Sequence, residues 1–238
     1  MKIYLLDINK EMTDAWRGHF DEPHDNRICV VNDNFAHFME SHPNIEAIVS
    51  PANSFGLMDG GYDKAIIDYF GKSMLETVQK AVLRDWHGEQ PVGTSLVIYS
   101  DNYLYNNDVF KQAVCQILIH TPTMRVPEVI VDPRIVYQCM RTALIEAIRE
   151  DVSSIVIPAF GGGCGKVPCD VIARMMYLAY QQICNPPKEL NWGYARGIAN
   201  EVNVAMPNPT NICDNCIGPS LAASRGIMDM RINKQNSI

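Results

Sequence analysis

Ser50-Pro51-Ala52-Asn53-Ser54-Phe55-Gly56-Leu57-Met58-Asp59-Gly60-Gly61-Tyr62-Asp63 joins an apolar run, Ile45 to Val49, to a helical pattern of Ala65, Ile66, Phe70, Met74 and Val78. That order reads as strand, small-residue loop, helix. Gly60 and Gly61 lack a Cβ, so the backbone there turns sharply and approaches a ligand closely. A helix beginning near Asp63 points unpaired N–H groups and a partial positive charge at the loop, which favours an anion such as phosphate. Asn53 and Asp63 flank the loop, in reach of hydroxyls or a water. The same spacing also fits a plain βα turn, with glycine for geometry and Asp63 as a helix cap.

The pattern repeats downstream. Ser154 to Ile157 forms a strand that opens into Pro158-Ala159-Phe160-Gly161-Gly162-Gly163-Cys164-Gly165-Lys166-Val167-Pro168, with a helix over Asp170 to Ile183. Elsewhere strands are expected at Lys2–Leu6, Ile28–Val31, Ile45–Val49, Ser95–Tyr99 and Ala113–His120. Helices are expected at Lys10–Phe20, Phe35–Ser41, from the first glycine loop to about Arg84, and at Ile135–Arg149. Asp21–Arg27, Asp101–Lys111 and Thr121–Asp132 read as connections. Apolar strands alternating with amphipathic helices predict a three-layer α/β/α sandwich around a mixed, largely parallel sheet. Residues 1–184 are read as one domain, and Asn185–Ile238, rich in Asn, Pro and Gly, as a partly irregular extension.

Composition narrows the chemistry. The chain has 238 residues, 47% hydrophobic and 20% charged, enough for a sizeable core. A net charge of −7 excludes a general nucleic-acid binder, so an anionic ligand is expected to rely on local backbone dipoles. No apolar run approaches the roughly 20 residues of a membrane span, and Asp7 comes too early for a signal peptide. Of eight cysteines, six are scattered, several in apolar runs, which suggests buried thiols in a reducing, cytoplasmic setting. Cys213-Asp214-Asn215-Cys216 is a single C-x-x-C with no second ligand pair, so neither metal nor cofactor is expected. Neither glycine loop fits G-x-x-x-x-G-K-[ST] or G-x-G-x-x-G. Two such loops at the carboxyl ends of strands instead suit a pyrophosphate clamped from both sides.

With both loops in view, the chain resembles the macro domain family, in particular the compact forms of microbes and phages. The N-A-A-N then V-D-G pattern is matched by Ser50-Pro51-Ala52-Asn53 and Gly60-Gly61-Tyr62-Asp63. The second glycine loop is matched by Ile157 to Gly165, a strand ending I-H-T by Ile119-His120-Thr121, and G-D-I by Asn32-Asp33-Asn34. What the resemblance implies is a pocket for ADP-ribose or a derivative, and hydrolysis of O-acyl-ADP-ribose or ADP-ribosylated protein. The alternative is a non-catalytic ADP-ribose-binding module, or a structural domain whose pocket has decayed. Asp33 would meet the adenine amino group, and Gly60, Gly61 and Gly161 to Gly165 the diphosphate. Asn53 would contact the distal ribose and Asp63 would lie near its anomeric carbon. Asn34, Ala52, Tyr62, Phe160, Gly162, Gly163 and Cys164 complete the implied lining. Four positions depart from the pattern. Ser50 stands for the first Asn, Asp59 for a glycine, Cys164 for an aromatic residue and Ile67 for a histidine. A carboxylate at Asp59 repels a diphosphate unless it points to solvent.

His120 reads as a structural histidine more than a catalyst, Asp7 as a helix cap more than a second adenine contact, and Phe55 as an aromatic buried under its loop more than one stacked on a ligand. Met124 and Arg125 read as a pocket rim or a packing device.

Overall fold

The computed structural model describes residues 1–20, 25–99, 115 and 117–205. In chain order the elements are β1 (Lys2–Asp7), α1 (Lys10–Phe20), β2 (Ile28–Asn32), α2 (Phe35–Ser41), β3 (Ala47–Ser50), α3 (Gly61–Phe70), α4 (Lys72–Trp86), β4 (Leu96–Tyr99), β5 (Ile117–His120), α5 (Arg134–Arg149), β6 (Ser154–Pro158), α6 (Cys169–Cys184) and α7 (Trp192–Val204). The first four positions of the expected 21–27 loop, the connection at 101–111, the start of the strand expected from Ala113, and Cys213 and Cys216 lie outside the described residues.

The strands form one sheet in the order β2-β1-β6-β3-β5-β4. Neighbours pair in parallel except β4, which runs antiparallel to β5 at one edge. All four residues of β3 and of β5 are buried. That is why their sequences run apolar without alternation, as in a sheet covered on both faces. Period-two side-chain direction still divides the strands. Tyr4, Leu6, Ile48, Leu118 and Val156 pack with Phe35, Phe38, Ile66, Val78 and Val82 of α2, α3 and α4. Helix α6 packs against both α1 and α5, α1 also touching β1 and β2 and α5 touching β5. The α/β/α sandwich expected from sequence is the observed architecture.

Helix α1 shows how the pattern becomes packing. Met12, Trp16 and Phe20, four residues apart, are buried along one face, while Lys10 and Asp14 pair on the exposed face. Two sequence expectations change, at Gly71 and at Asp7. The long helix after the first loop is two helices, because Gly71 takes φ +90°, outside helical space, and ends α3 before α4 begins. The extension after Asn185 contains α7, within the same compact unit as the sheet. Its apolar face is thin, Val202 being its buried residue, so periodicity was a weak signal. Asn191 does cap it through Tyr194 N–H, and Gln182 donates to Glu201 at 2.9 Å to tie it to α6. Asp7 does not cap α1. The Asn9 side chain accepts from Glu11 N–H, and Asp7 accepts from Asn9 N–H.

No helix among the described residues is long and apolar enough to cross a membrane.

The core reading is checked by a pair of truncations. Ile48, fully buried on the central strand β3, and Leu83, 64% exposed on α4, lose the same atoms on change to alanine. Ile48→Ala is expected to cost about 2–5 kcal/mol in urea unfolding and Leu83→Ala within about 0.5 kcal/mol. Equal costs would contradict this burial of β3.

Candidate functional site

Parallel pairing brings the strand ends to one edge. Asp7 ends β1 level with Asn32 of β2, Leu6 lies opposite Pro158 of β6, and Ser50 of β3 lies opposite His120 of β5. Strands β3 and β6 are direct neighbours. The loops carrying Asn53 to Asp63 and Phe160 to Gly165 therefore leave adjacent strands at the same edge, where ligands of open α/β sheets settle.

The first loop is fastened on its far side. Ser54 N–H donates to Met124 O at 3.1 Å, Thr123 N–H to Ala52 O at 3.0 Å, and Gln90 N–H to Ser54 O at 2.9 Å. Asn53 forms an isolated bridge with Met124. Its Oδ1 accepts from Phe55 N–H at 3.0 Å and Leu57 N–H at 3.5 Å. That anchors the side chain and leaves Nδ2 with no protein acceptor among the described residues, in a residue 7% exposed. Gly60 precedes α3 in an extended conformation and makes no side-chain cap. Among the described residues, no side-chain cap takes up the first N–H groups of the helix.

Asp63 sits in that first turn but turns its carboxyl inward. Oδ1 accepts from Ser50 Oγ at 2.6 Å, while Oδ2 has no hydrogen-bond partner among the described residues, in a residue that is itself buried. Asp63 is therefore not the helix cap. Burial pushes its carboxyl up from 3.8 to about 7, the Ser50 hydrogen bond opposes the rise, and the Asp59 charge adds to it. Asp59 itself is exposed, the orientation in which its charge is least costly to a nearby diphosphate.

The second loop divides into a packed base and an open tip. Gly161 has φ +78°, and a Cβ on it would lie 2.8 Å from Ile130 Cδ1. A Cβ on Gly165 would lie 2.5 Å from Gly161 O and 2.7 Å from Ile130 Cδ1. Ile130 N–H donates to Gly165 O at 2.9 Å and Val167 N–H to Gly161 O at 3.1 Å, closing the loop. At the tip, Gly162, Gly163 and Cys164 are exposed. A Cβ on Gly163, and likewise on Gly60 or Gly61, would meet no heavy atom within 4 Å. Packing within the protein does not require glycine at those three positions, although Gly61 has φ +55°, which favours it.

The remaining candidates fall into two groups. Ala52 and Phe160 are buried, and Tyr62 packs edge-on against Phe35 at 5.3 Å with its hydroxyl sealed inside. Burial and the Asp63 charge keep that hydroxyl protonated far above its usual range. These three present backbone, not side-chain tips, to the edge. Asp33 accepts from Asn34 N–H at 2.8 Å and pairs with His37 one helical turn on. That interaction holds its carboxyl below the usual range. Asn34 caps α2 through His37 N–H at 3.0 Å. His120 is structural: Nδ1 donates to Gln90 Oε1 at 2.6 Å, and burial depresses the ring to about 4. Phe55 is only partly buried, with Arg125 over its ring at 5.9 Å and Arg125 held by Glu89; the expectation of an aromatic buried under the loop is corrected.

Two open surface hollows are present, about 480 Å³ at Asp132, Arg134 and Tyr137, and about 390 Å³ at Lys2, Tyr4 and His42. Neither holds a candidate residue. Sequence reasoning missed Ser50 as the partner of Asp63 and His37 as the partner of Asp33. The first had no local signal, being 13 residues distant. The second was visible as Asp-x-x-x-His at helical spacing.

The family described as macro-like domain matches residues 32–184. This chain belongs to the macro-like domain family. An uncharacterized protein of Aquifex aeolicus (strain VF5) is 33% identical over 132 residues, 55% of this chain and 70% of that protein. Among solved structures, an Oceanobacillus iheyensis macrodomain with ADP is 23% identical over 58% of this chain and 69% of its own, with a TM-score of 0.48. The macrodomain of Mycobacterium tuberculosis DarG is 18% identical over 59% of this chain and 84% of its own, also with a TM-score of 0.48.

Two measurements test this geometry in the macro-like domain. Asp63 binds its proton more tightly folded than unfolded, so the stability it confers is fully present below about pH 4 and is lost as pH rises through about 7. Asp63→Asn, which stays neutral, is expected to gain in melting temperature over wild type progressively from pH 4 to pH 8. A constant difference across that range would mean Asp63 is not buried with its proton. His120 has the opposite sign, its contribution being present above about 6.5 and lost as pH falls through about 4, and it cancels in the comparison. For the glycines, Gly165→Ala is expected to lower the melting temperature by several degrees and Gly163→Ala to leave it unchanged. The reverse order would contradict the division into base and tip.

Proposed function

We propose that this domain binds ADP-ribose and hydrolyses ADP-ribosyl adducts, O-acyl-ADP-ribose or ADP-ribosylated protein, at the edge formed by the two glycine loops. The observation that carries the reading is the matched anchoring of Asn53 and Asp63. Each is tied through one oxygen, Asn53 to Phe55 and Leu57 N–H and Asp63 to Ser50 Oγ, and the other polar end of each has no hydrogen-bond partner among the described residues. Such fixed side chains orient a bound group without further ordering cost.

In this reading the free N–H groups at the start of α3 and at Gly162 to Cys164 hold the diphosphate. Asp33, with Asn34 behind it, meets the adenine amino group. Asn53 Nδ2 donates to the distal ribose, and Asp63 Oδ2 takes a proton from the water attacking the anomeric carbon, whose bond to the ester oxygen breaks as the acyl or protein carboxylate leaves. A carboxyl held at about 7 acts as a base only once ionised, so turnover rises with pH through that value. Residues 1–184 carry the ligand. A reducing, cytoplasmic setting accords with the free thiols of Cys29, Cys115, Cys139, Cys164, Cys169 and Cys184. The second reading, a non-catalytic binding module, is favoured by the same value, since much of Asp63 stays protonated at neutral pH.

Calorimetry is expected to give at least a tenfold preference for ADP-ribose over AMP, a difference of about 1.4 kcal/mol and within reach of a few N–H contacts to a diphosphate. Equal affinities would remove the two-loop clamp. Asp63→Ala is expected to lower turnover of an ADP-ribosyl ester by about 10²–10⁴-fold while sparing affinity, and Asn53→Ala to lower both. Wild-type turnover by Asp63→Ala refutes the base. Tight ADP-ribose binding with no turnover by the wild type selects the binding module.

A further inference from the structure

Ser50 departs from the family pattern, yet it is built into the structure beneath the site. It is wholly buried at the last position of β3, an inner strand. Its carbonyl accepts from Thr121 N–H at 2.9 Å, fixing the backbone against the neighbouring connection. Its Oγ donates to Asp63 Oδ1 at 2.6 Å. No bound molecule touches a side chain so enclosed, so Ser50 is neither a nucleophile nor a ligand contact.

We propose that Ser50 is a positioning residue of this site, its hydroxyl holding one oxygen of the Asp63 carboxyl inside so that the other is presented to the ligand. The proposal rests on the ADP-ribosyl hydrolase reading for its catalytic consequence, though not for the pairing itself. The groups around Asp63 leave Ser50 a specific task. Asp59, from the loop, repels the ionised carboxylate. Tyr62, the preceding residue, is neutral, and Asp7 of β1 faces that tyrosine. His120, across from Ser50 on β5, is turned to Gln90 and neutral. Among the described residues the Ser50 hydroxyl is therefore the group that favours the charged form, against burial and Asp59. A hydrogen bond donated to a carboxylate lowers its pKa, so removing the donor raises it. Ser50→Ala thus postpones ionisation to higher pH and frees the carboxyl to rotate away.

The test follows the Asp63 carboxyl carbon by NMR during a pH titration of the ligand-free protein. Ser50→Ala is expected to move the midpoint up by about one pH unit, and Ser50→Thr, which keeps a hydroxyl, to restore it. In turnover of an ADP-ribosyl ester, the acid limb of the kcat profile moves up by the same interval, with KM unchanged because Ser50 does not touch substrate. An unmoved midpoint in folded Ser50→Ala overturns the proposal, as does a Ser50→Thr that behaves like alanine. Should Ser50→Ala fail to fold, Ser50→Cys replaces it; its weak thiol donor is expected to give an upward shift between the two, and no shift overturns the proposal equally. A shifted midpoint in a protein without turnover supports the pairing and removes only the hydrolase reading.

Discussion

Parallel adjacency of β3 and β6 governs everything at the functional edge. Because the strands run the same way side by side, the two glycine-rich loops leave the sheet at one level, although about a hundred residues separate them in the chain. Either strand alone would present one open helix N-terminus, a weak and unselective anion site. Two loops over adjacent strands present N–H groups from both sides, which suits an extended diphosphate better than a single phosphate. The connection after β5 then fastens the first loop from behind through Thr123 and Met124, so the sheet positions the loops and also stiffens them.

That stiffness separates glycines of two kinds. Gly161 and Gly165 are required by close approach within the protein, where a methyl group would strike Ile130 or backbone. Gly60, Gly61 and Gly163 face open space. A loop packed at its base and bare at its tip offers backbone donors in fixed directions with nothing in front of them. It costs little to order on binding, because it is ordered already.

Much of this was legible in the sequence, for physical reasons that differ by element. The two strand–glycine–helix units were readable because each is local, and the sandwich was readable because apolar strands alternating with amphipathic helices have few other ways to bury both faces of a sheet. Helix α1 was exact in both bounds, since Met12, Trp16 and Phe20 mark a clean stripe. The break at Gly71 was not seen because the apolar spacing continues across it, and a glycine in a helical pattern reads as a tolerated defect. Helix α7 was missed because its buried side is little more than Val202. At the site, Asn53 and Asp63 were found by motif, but what holds them was not. Ser50 meets Asp63 across a loop and a helix start, and no periodicity encodes a contact of that kind.

The Ser50–Asp63 pair also explains why a buried acid is tolerated at all. An ionised carboxylate removed from water without a partner is costly, and proteins ordinarily avoid the cost by neutralising the group or supplying a cation. Here neither solution is complete. A nearby cation would pull Asp63 low enough to ionise fully, but it would also engage the carboxylate oxygen that Ser50 leaves unpaired. Full protonation would leave no base. A single hydroxyl donor, given to one oxygen only, holds the group between these limits at about 7 and leaves the other oxygen unengaged. Asparagine, which the family pattern has at this position, offers an amide with both donor and acceptor ends. Serine offers one short donor on a strand whose backbone is already fixed, so the geometry of the carboxyl is set by β3 and not by the loop that a ligand contacts.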